Sequence, residues 1–199
     1  MAVLRKLAEE VQRCRACPLW EHATQAVFGE GAPNARLMLV GEQPGDQEDL
    51  QGHPFVGPAG RILHEAMGLA GIAAADAYIT NAVKHFKWTP RGSRRLHKKP
   101  SRSETLACLQ WLEAEIDAVS PEVIVCLGST AAQAMIERDF KIGVHHGELR
   151  RDPKGRYLVA TIHPSFVLRQ RDDDERRAAM ALLVADLEIA RRALRRQAS

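Results

Sequence analysis

Four polar residues in this sequence could do chemistry, and each stands at or just after the end of a short apolar run. Glu42 and Gln43 follow residues 36–40, Asn81 lies near the end of residues 77–82, and His163 follows residues 157–161. A carboxylate can stabilise a cation or orient water. A carboxamide offers one donor and one acceptor, and an imidazole can donate to a developing anion. Thiols form the other set: Cys14 and Cys17, with two residues between them and followed by Pro18, then Cys108 and Cys126 with seventeen residues between them. Thiolates are the usual ligands of an iron–sulfur cluster. Zinc accepts them too, although the wide second spacing is unlike the paired knuckles of a zinc ribbon. Cys126 sits in an apolar run, where cysteine is often a small buried side chain, so spacing alone leaves its role open.

These residues need a scaffold that brings them together. Residues 36–40, 77–82, 121–127 and 157–161 are short apolar runs bounded by turn signals and are predicted to be buried strands. Helices are predicted over residues 2–12, where Leu4, Leu7 and Val11 share a face, and over 59–70, 130–136 and 173–196. Ser101 and Glu104 form a capping-box pattern that opens another helix through Cys108 and Trp111 toward Val119. Strands alternating with helices predict a parallel sheet of four strands covered on both faces, an α/β/α sandwich. The ends of such strands share one edge, so Glu42, Gln43, Asn81 and His163 are expected to converge there. The segment from Gly41 to Gly60 holds five glycines, three prolines and Phe55. A loop of this length at a strand end is expected to bind a ligand.

The chain has 199 residues, 45% of them hydrophobic, enough for one domain with a substantial core. No run of about eighteen apolar residues occurs, so no membrane span is expected. The amphipathic, charged start is unlike a signal peptide, and clustered cysteines without one suit a reducing cytosol. The net charge of +3 conceals an uneven distribution. Residues 84–102 carry eight cations (Lys84, Lys87, Arg91, Arg94, Arg95, Lys98, Lys99, Arg102) and no acid, leaving the rest of the chain net acidic. Such a stretch is a polyanion footprint, and the interleaved Phe86 and Trp88 point to unpaired nucleic-acid bases.

Several ordered motifs then carry a resemblance. Gly41-Glu-Gln-Pro-Gly-Asp46, Pro54-Phe-Val-Gly-Pro-Ala-Gly60, Asn81-Ala-Val-Lys-His-Phe86, Arg94-Arg-Leu-His97 and His163-Pro-Ser165 resemble the uracil-DNA glycosylase superfamily. The match is nearest to the UdgX-type branch of its iron–sulfur members, with Leu96 and Ser93 departing from the residues common there. The resemblance implies a single domain over residues 1–199, with an N-terminal iron–sulfur segment. It implies a [4Fe–4S] cluster on Cys14, Cys17, Cys108 and Cys126, and excision of uracil from DNA, preferably single-stranded, by a monomer. It places Phe55, Gln43, Asn81 and His163 on the extruded uracil. Lys84, Lys87, Arg94, Arg95, Lys98 and Ser165 fall along the DNA. Glu42 and Asp46 are then the acids that stabilise the sugar cation, orient water or hold His97, and His97 is the group that becomes bonded to the deoxyribose. A conventional hydrolase is the nearest alternative. A noncatalytic iron–sulfur module for single-stranded DNA, or an electron-transfer protein, would belong to other classes.

Overall fold

The computed structural model describes residues 2–196. In chain order the elements are α1 (Ala2–Val11), β1 (Glu30–Gly31), β2 (Leu37–Gly41), α2 (Asp46–Gln51), α3 (Pro58–Leu69) and β3 (Ala77–Asn81). They continue with β4 (Trp88–Arg91), β5 (Arg94–His97), α4 (Arg102–Val119), β6 (Val123–Leu127) and α5 (Ser129–Met135). The last are α6 (Ile142–His145), β7 (Leu149–Arg151), β8 (Tyr157–Thr161), α7 (Pro164–Leu168) and α8 (Asp173–Arg196). Among the described residues no helix is long and apolar enough to cross a membrane.

The sheet is laid out in the order β1-β3-β2-β6-β8-β7. The central strands β3, β2, β6 and β8 are parallel, as the sequence leads one to expect. Two short antiparallel strands at the edges, β1 on β3 and β7 on β8, make it a mixed sheet of six. Side chains alternate across it. Leu37, Leu39, Val123, Val125, Leu127 and Val159 pack with α3 and α8, while Met38, Val40, Ile124, Cys126, Leu158 and Ala160 face the side of α4 and α5. Both faces are therefore buried, which is why these strands read as continuous apolar runs.

Helix ends follow local chemistry. Ser101 Oγ accepts from Glu104 N at 3.2 Å and Glu104 Oε2 accepts from Ser101 N at 2.6 Å, closing the capping box at the start of α4. The loop after β2 is not irregular throughout, because α2 forms within it, between Gly45 and a left-handed Gly52 at φ 80°. The basic stretch is likewise ordered. It forms the antiparallel hairpin β4–β5, separate from the main sheet, with Trp88 opposite His97.

Candidate active site

The chain runs from β2 outward to β3 and then crosses to β6 on the other side, so the sheet's switch point lies between β2 and β6. Ligands of open α/β sheets bind at such a point, beyond the carboxyl ends of the strands. A cavity of about 760 Å³ opens there, lined among others by Glu42, Phe55, Asn81, His97, Thr130 and His163. Residues drawn from β2, β3, β5 and β8 thus meet in one place.

The floor is a ring and an amide. Phe55 adopts a left-handed backbone at φ 54°, rare for an aromatic residue, and its ring centroid lies 6.1 Å from that of His163. Gly41, the strand partner of Asn81, makes room: a Cβ there would lie 2.3 Å from Asn81 Oδ1 and 2.6 Å from Phe55 Cζ. Asn81 is 2% exposed, and its Oδ1 accepts no hydrogen bond from any described residue. A buried acceptor left unsatisfied costs free energy unless a ligand supplies the donor.

His163 caps α7. Its Nδ1 accepts from Ser165 N at 3.2 Å and lies 2.8 Å from Ser165 Oγ, which in turn accepts from Arg169 Nη1 at 2.8 Å. With Nδ1 accepting, the ring's one proton sits on Nε2. Burial, then the charges of Arg169 and His97, push the imidazolium form down to about 4. His163 is therefore a neutral donor at ordinary pH.

His97 reaches the same cavity from the end of β5. Lys87 N donates to Gln43 Oε1 at 3.0 Å, which fixes the amide's orientation and makes its Nε2 a donor. That nitrogen bridges Lys98 O at 3.0 Å and His97 Nε2 at 2.9 Å, so His97 Nε2 carries a lone pair. Glu42 Oε1 stands 3.6 Å from the same nitrogen, and Thr130 Oγ1 donates to the other carboxylate oxygen of Glu42. Burial lowers the His97 pKa; Glu42 opposes that and Arg169 adds to it.

Three sequence expectations fail here. Lys84 does not face DNA. It is 0% exposed, its Nζ is paired with the buried Glu115, and it donates to Thr80 Oγ1 at 2.7 Å and Asn81 O at 2.8 Å. It props up the backbone of Asn81 from below. Breaking a buried pair leaves a bare charge, so Lys84→Met is expected to cost about 3 kcal/mol or more. A denaturant midpoint equal to that of the parent protein would contradict this. Asp46 is the second: it lines no part of the cavity and instead accepts from Arg95 Nε at 2.6 Å. Arg95 is the third: it also holds the buried Asp49 at 2.6 Å, so this cation clamps the hairpin to α2 instead of lying free for phosphate. Arg94 and Lys98 are exposed, and Lys87 is half-buried against Glu104 at 2.8 Å. Ser165 supports His163 at the cavity's edge.

Thr130, Arg169 and Glu48 also belong to the site, although no sequence motif marks the first two. Glu48 accepts from Gly57 N at 2.7 Å and Gly45 N at 3.1 Å, holding the two ends of the loop together. The capping spacing of Gly45 and Glu48 is the only sequence signal for it.

Three of the four thiols converge elsewhere, between the N-terminal segment and α4. Cys17 and Cys108 pack with Leu19 and Val83, Trp111 Nε1 donates to Cys14 Sγ at 3.1 Å, and Lys84 N donates to Cys108 Sγ at 3.2 Å. Burial pushes Cys108 up to about 11, with smaller contributions from Cys17 and Cys14. Cys126 is not with them. It lies in β6 between Val40 and Ala160, fully buried, and burial alone pushes it up to about 12. Strand β2 separates it from β3, after which Lys84 comes, and neighbouring strands are about 4.8 Å apart. The expected four-cysteine set is therefore corrected to three. No three Cys, His, Asp or Glu side chains among the described residues could share one metal ion. A multinuclear cluster sets each ligand on a different iron, so its ligands stand farther apart.

A cavity at the switch point of an α/β/α sandwich, with an aromatic floor and one unsatisfied amide, suits a flat ring with hydrogen-bonding edges. The chain belongs to the uracil DNA glycosylase superfamily, whose profile matches residues 28–188. It is 36% identical to a type-4 uracil-DNA glycosylase of Thermotoga maritima, over 96% of this chain and 94% of that protein. It is 38% identical to a type-4 uracil-DNA glycosylase of Pyrobaculum aerophilum, over 84% and 85%. A type-5 uracil-DNA glycosylase of Thermus thermophilus is 30% identical over 76% and 73%.

Proposed function

We propose that this protein excises uracil from DNA, preferably single-stranded, and captures the resulting deoxyribose on His97. The observation that carries the excision is the unsatisfied Oδ1 of Asn81 in the cavity floor beside Phe55. A base must leave the stack before its glycosidic bond is reached, and an unpaired base is the least costly to extrude. Phe55 stacks on the extruded pyrimidine. Asn81 Oδ1 accepts from uracil N3–H and its amide donates to O4, whereas cytosine offers an unprotonated N3 and an amino group, which suit this amide less well.

The bond from C1′ to N1 breaks with its electron pair going to uracil. Negative charge then gathers at O2, where the neutral His163 donates from Nε2, an interaction stronger in the transition state than before it. Glu42 balances the positive sugar. The lone pair of His97 Nε2, released from Gln43, closes on C1′. The imidazolium so formed loses its Nδ1 proton through solvent, and uracil gains one. Water in place of His97 would give conventional turnover, the reading that similarity to type-4 enzymes favours.

Cys14, Cys17 and Cys108 would hold an iron–sulfur cluster that fastens the N-terminal segment to α4. No step of the excision runs through it. The exposed Arg94 and Lys98 bind phosphate. Release of free uracil from a labelled single-stranded oligonucleotide tests the activity, and a protein that binds the strand but frees no base would be a noncatalytic module. Removing one phosphate-binding cation, as in Lys98→Ala, is expected to reduce the salt slope of binding by roughly 1.

A further inference from the structure

Three thiols leave a cluster one ligand short, and among the described residues a buried imidazole without a hydrogen-bond partner follows directly on the segment that packs against them. His85 is 5% exposed, and its ring makes no hydrogen bond to any described residue. It follows Lys84, whose backbone N–H already meets Cys108 Sγ at 3.2 Å, and Val83, which packs with Cys17 and Cys108. The nearby carboxylates are occupied, and the His22 ring is exposed to solvent. Asp49 accepts from Thr24 Oγ1 at 2.6 Å and from Arg95 at 2.6 Å, and Glu104 is held by Lys87 at 2.8 Å and Ser101 N at 2.6 Å. Neither ring nitrogen is among the fully buried, unpartnered atoms of the described residues, so the imidazole keeps an edge open to an incoming group.

We propose that the imidazole of His85, and not the thiol of Cys126, is the fourth ligand of the cluster. This rests on the reading of an iron–sulfur cluster at Cys14, Cys17 and Cys108. Cys126 serves the core instead. Its side chain faces the α4–α5 side with Leu112 and Ala131, among residues that offer no route for iron. A neutral imidazole in place of a thiolate removes one negative charge from the cluster, and histidine ligation raises iron–sulfur potentials. The cluster should therefore be harder to oxidise than an all-thiolate one, and the N–H donors on Cys14 and Cys108 act in the same direction.

The test uses anaerobically purified full-length protein and four forms of it. The parent and Cys126→Ala are expected to carry about four irons with matching sulfide per chain. His85→Ala should lose iron to a chelator roughly 10-fold faster or more. His85→Cys should keep the cluster, with a lower reduction potential. In the reduced parent protein, pulsed electron paramagnetic resonance should detect a histidine nitrogen coupled to the cluster, changed by ¹⁵N-histidine and absent from His85→Cys. Loss of the cluster in Cys126→Ala with retention in His85→Ala, or a reduced parent cluster with no nitrogen coupling, would overturn the assignment. A parent protein with neither iron nor sulfide would instead sink the cluster reading itself.

Discussion

Mixed with single-stranded DNA carrying one uracil, the protein is expected to form a one-to-one adduct that survives heat and detergent, with the modification on His97. Once uracil has left, C1′ is a strong electrophile that the nearest nucleophile captures. His97 Nε2 is held in the cavity by Gln43 at 2.9 Å, so the nucleophile is in place before DNA arrives. Well-oriented groups react as if present at roughly 10⁵ M or more, far above the concentration of water. His97→Ala should abolish the adduct while uracil release continues, because water then reaches the cation. The pH dependence has a definite sign. Capture needs the unprotonated ring, so adduct formation is full above the His97 pKa and falls as pH drops through it. Burial, the largest influence, and Arg169 lower that pKa, and the raising effect of Glu42 does not overcome them. The midpoint should thus lie below about 6.5, the ordinary imidazole value. An unmodified His97 after complete uracil release would leave the conventional hydrolase standing, and a midpoint above the ordinary value would show that Glu42 dominates.

Asn81→Ala is expected to slow uracil excision by roughly 10²–10³-fold while leaving affinity for undamaged single strands unchanged. The alanine variant leaves uracil N3–H and O4 unpaired at the buried floor of the cavity, at about 1–3 kcal/mol for each group. The proposed phosphate contacts, Arg94 and Lys98, lie elsewhere, on and beside the hairpin. The variant should not be less stable than the parent, since it removes an acceptor that has no partner among the described residues of the free protein. Normal excision by Asn81→Ala would remove the pocket assignment, and a large fall in melting temperature would make the residue structural.

The parallel strands are legible in the sequence because burial on both faces leaves an apolar run that composition alone reveals. The edge strands are not: Glu30 and Gly31 are both exposed and too few to show a period. Helix α2 has one apolar side chain, Leu50, and that is 58% exposed. Its stability comes from Glu48 and Asp49 turned inward onto backbone and Arg95, partners that no periodicity encodes. Lys84 defeats a sequence reading for the same reason. A count of cations assigns it to the surface, and only the fold brings Glu115 against it. The strand-end residues Glu42, Asn81 and His163 do meet, as parallel topology requires. Gln43 stands where it can shape the pocket, yet it also sets the tautomer of His97, and that needs the hairpin's backbone to be visible. His85 carries no signal until three thiols converge without a fourth.

The hairpin that carries His97 enters and leaves the body at nearly one point, where Lys98 N meets Lys87 O at 2.9 Å. Its strands pair only with each other and contribute nothing to the six-stranded sheet. The segment between those two residues can therefore lengthen or shorten with little entropic cost and without displacing a single core strand, provided that Arg95 keeps its hold on Asp49. On the proposed reading, base selection resides in the sheet-built body and the fate of the sugar in an appended ribbon. If His97 captures the sugar as proposed, the same scaffold serves as a reusable tool or as a single-use trap, depending on about ten residues of ribbon.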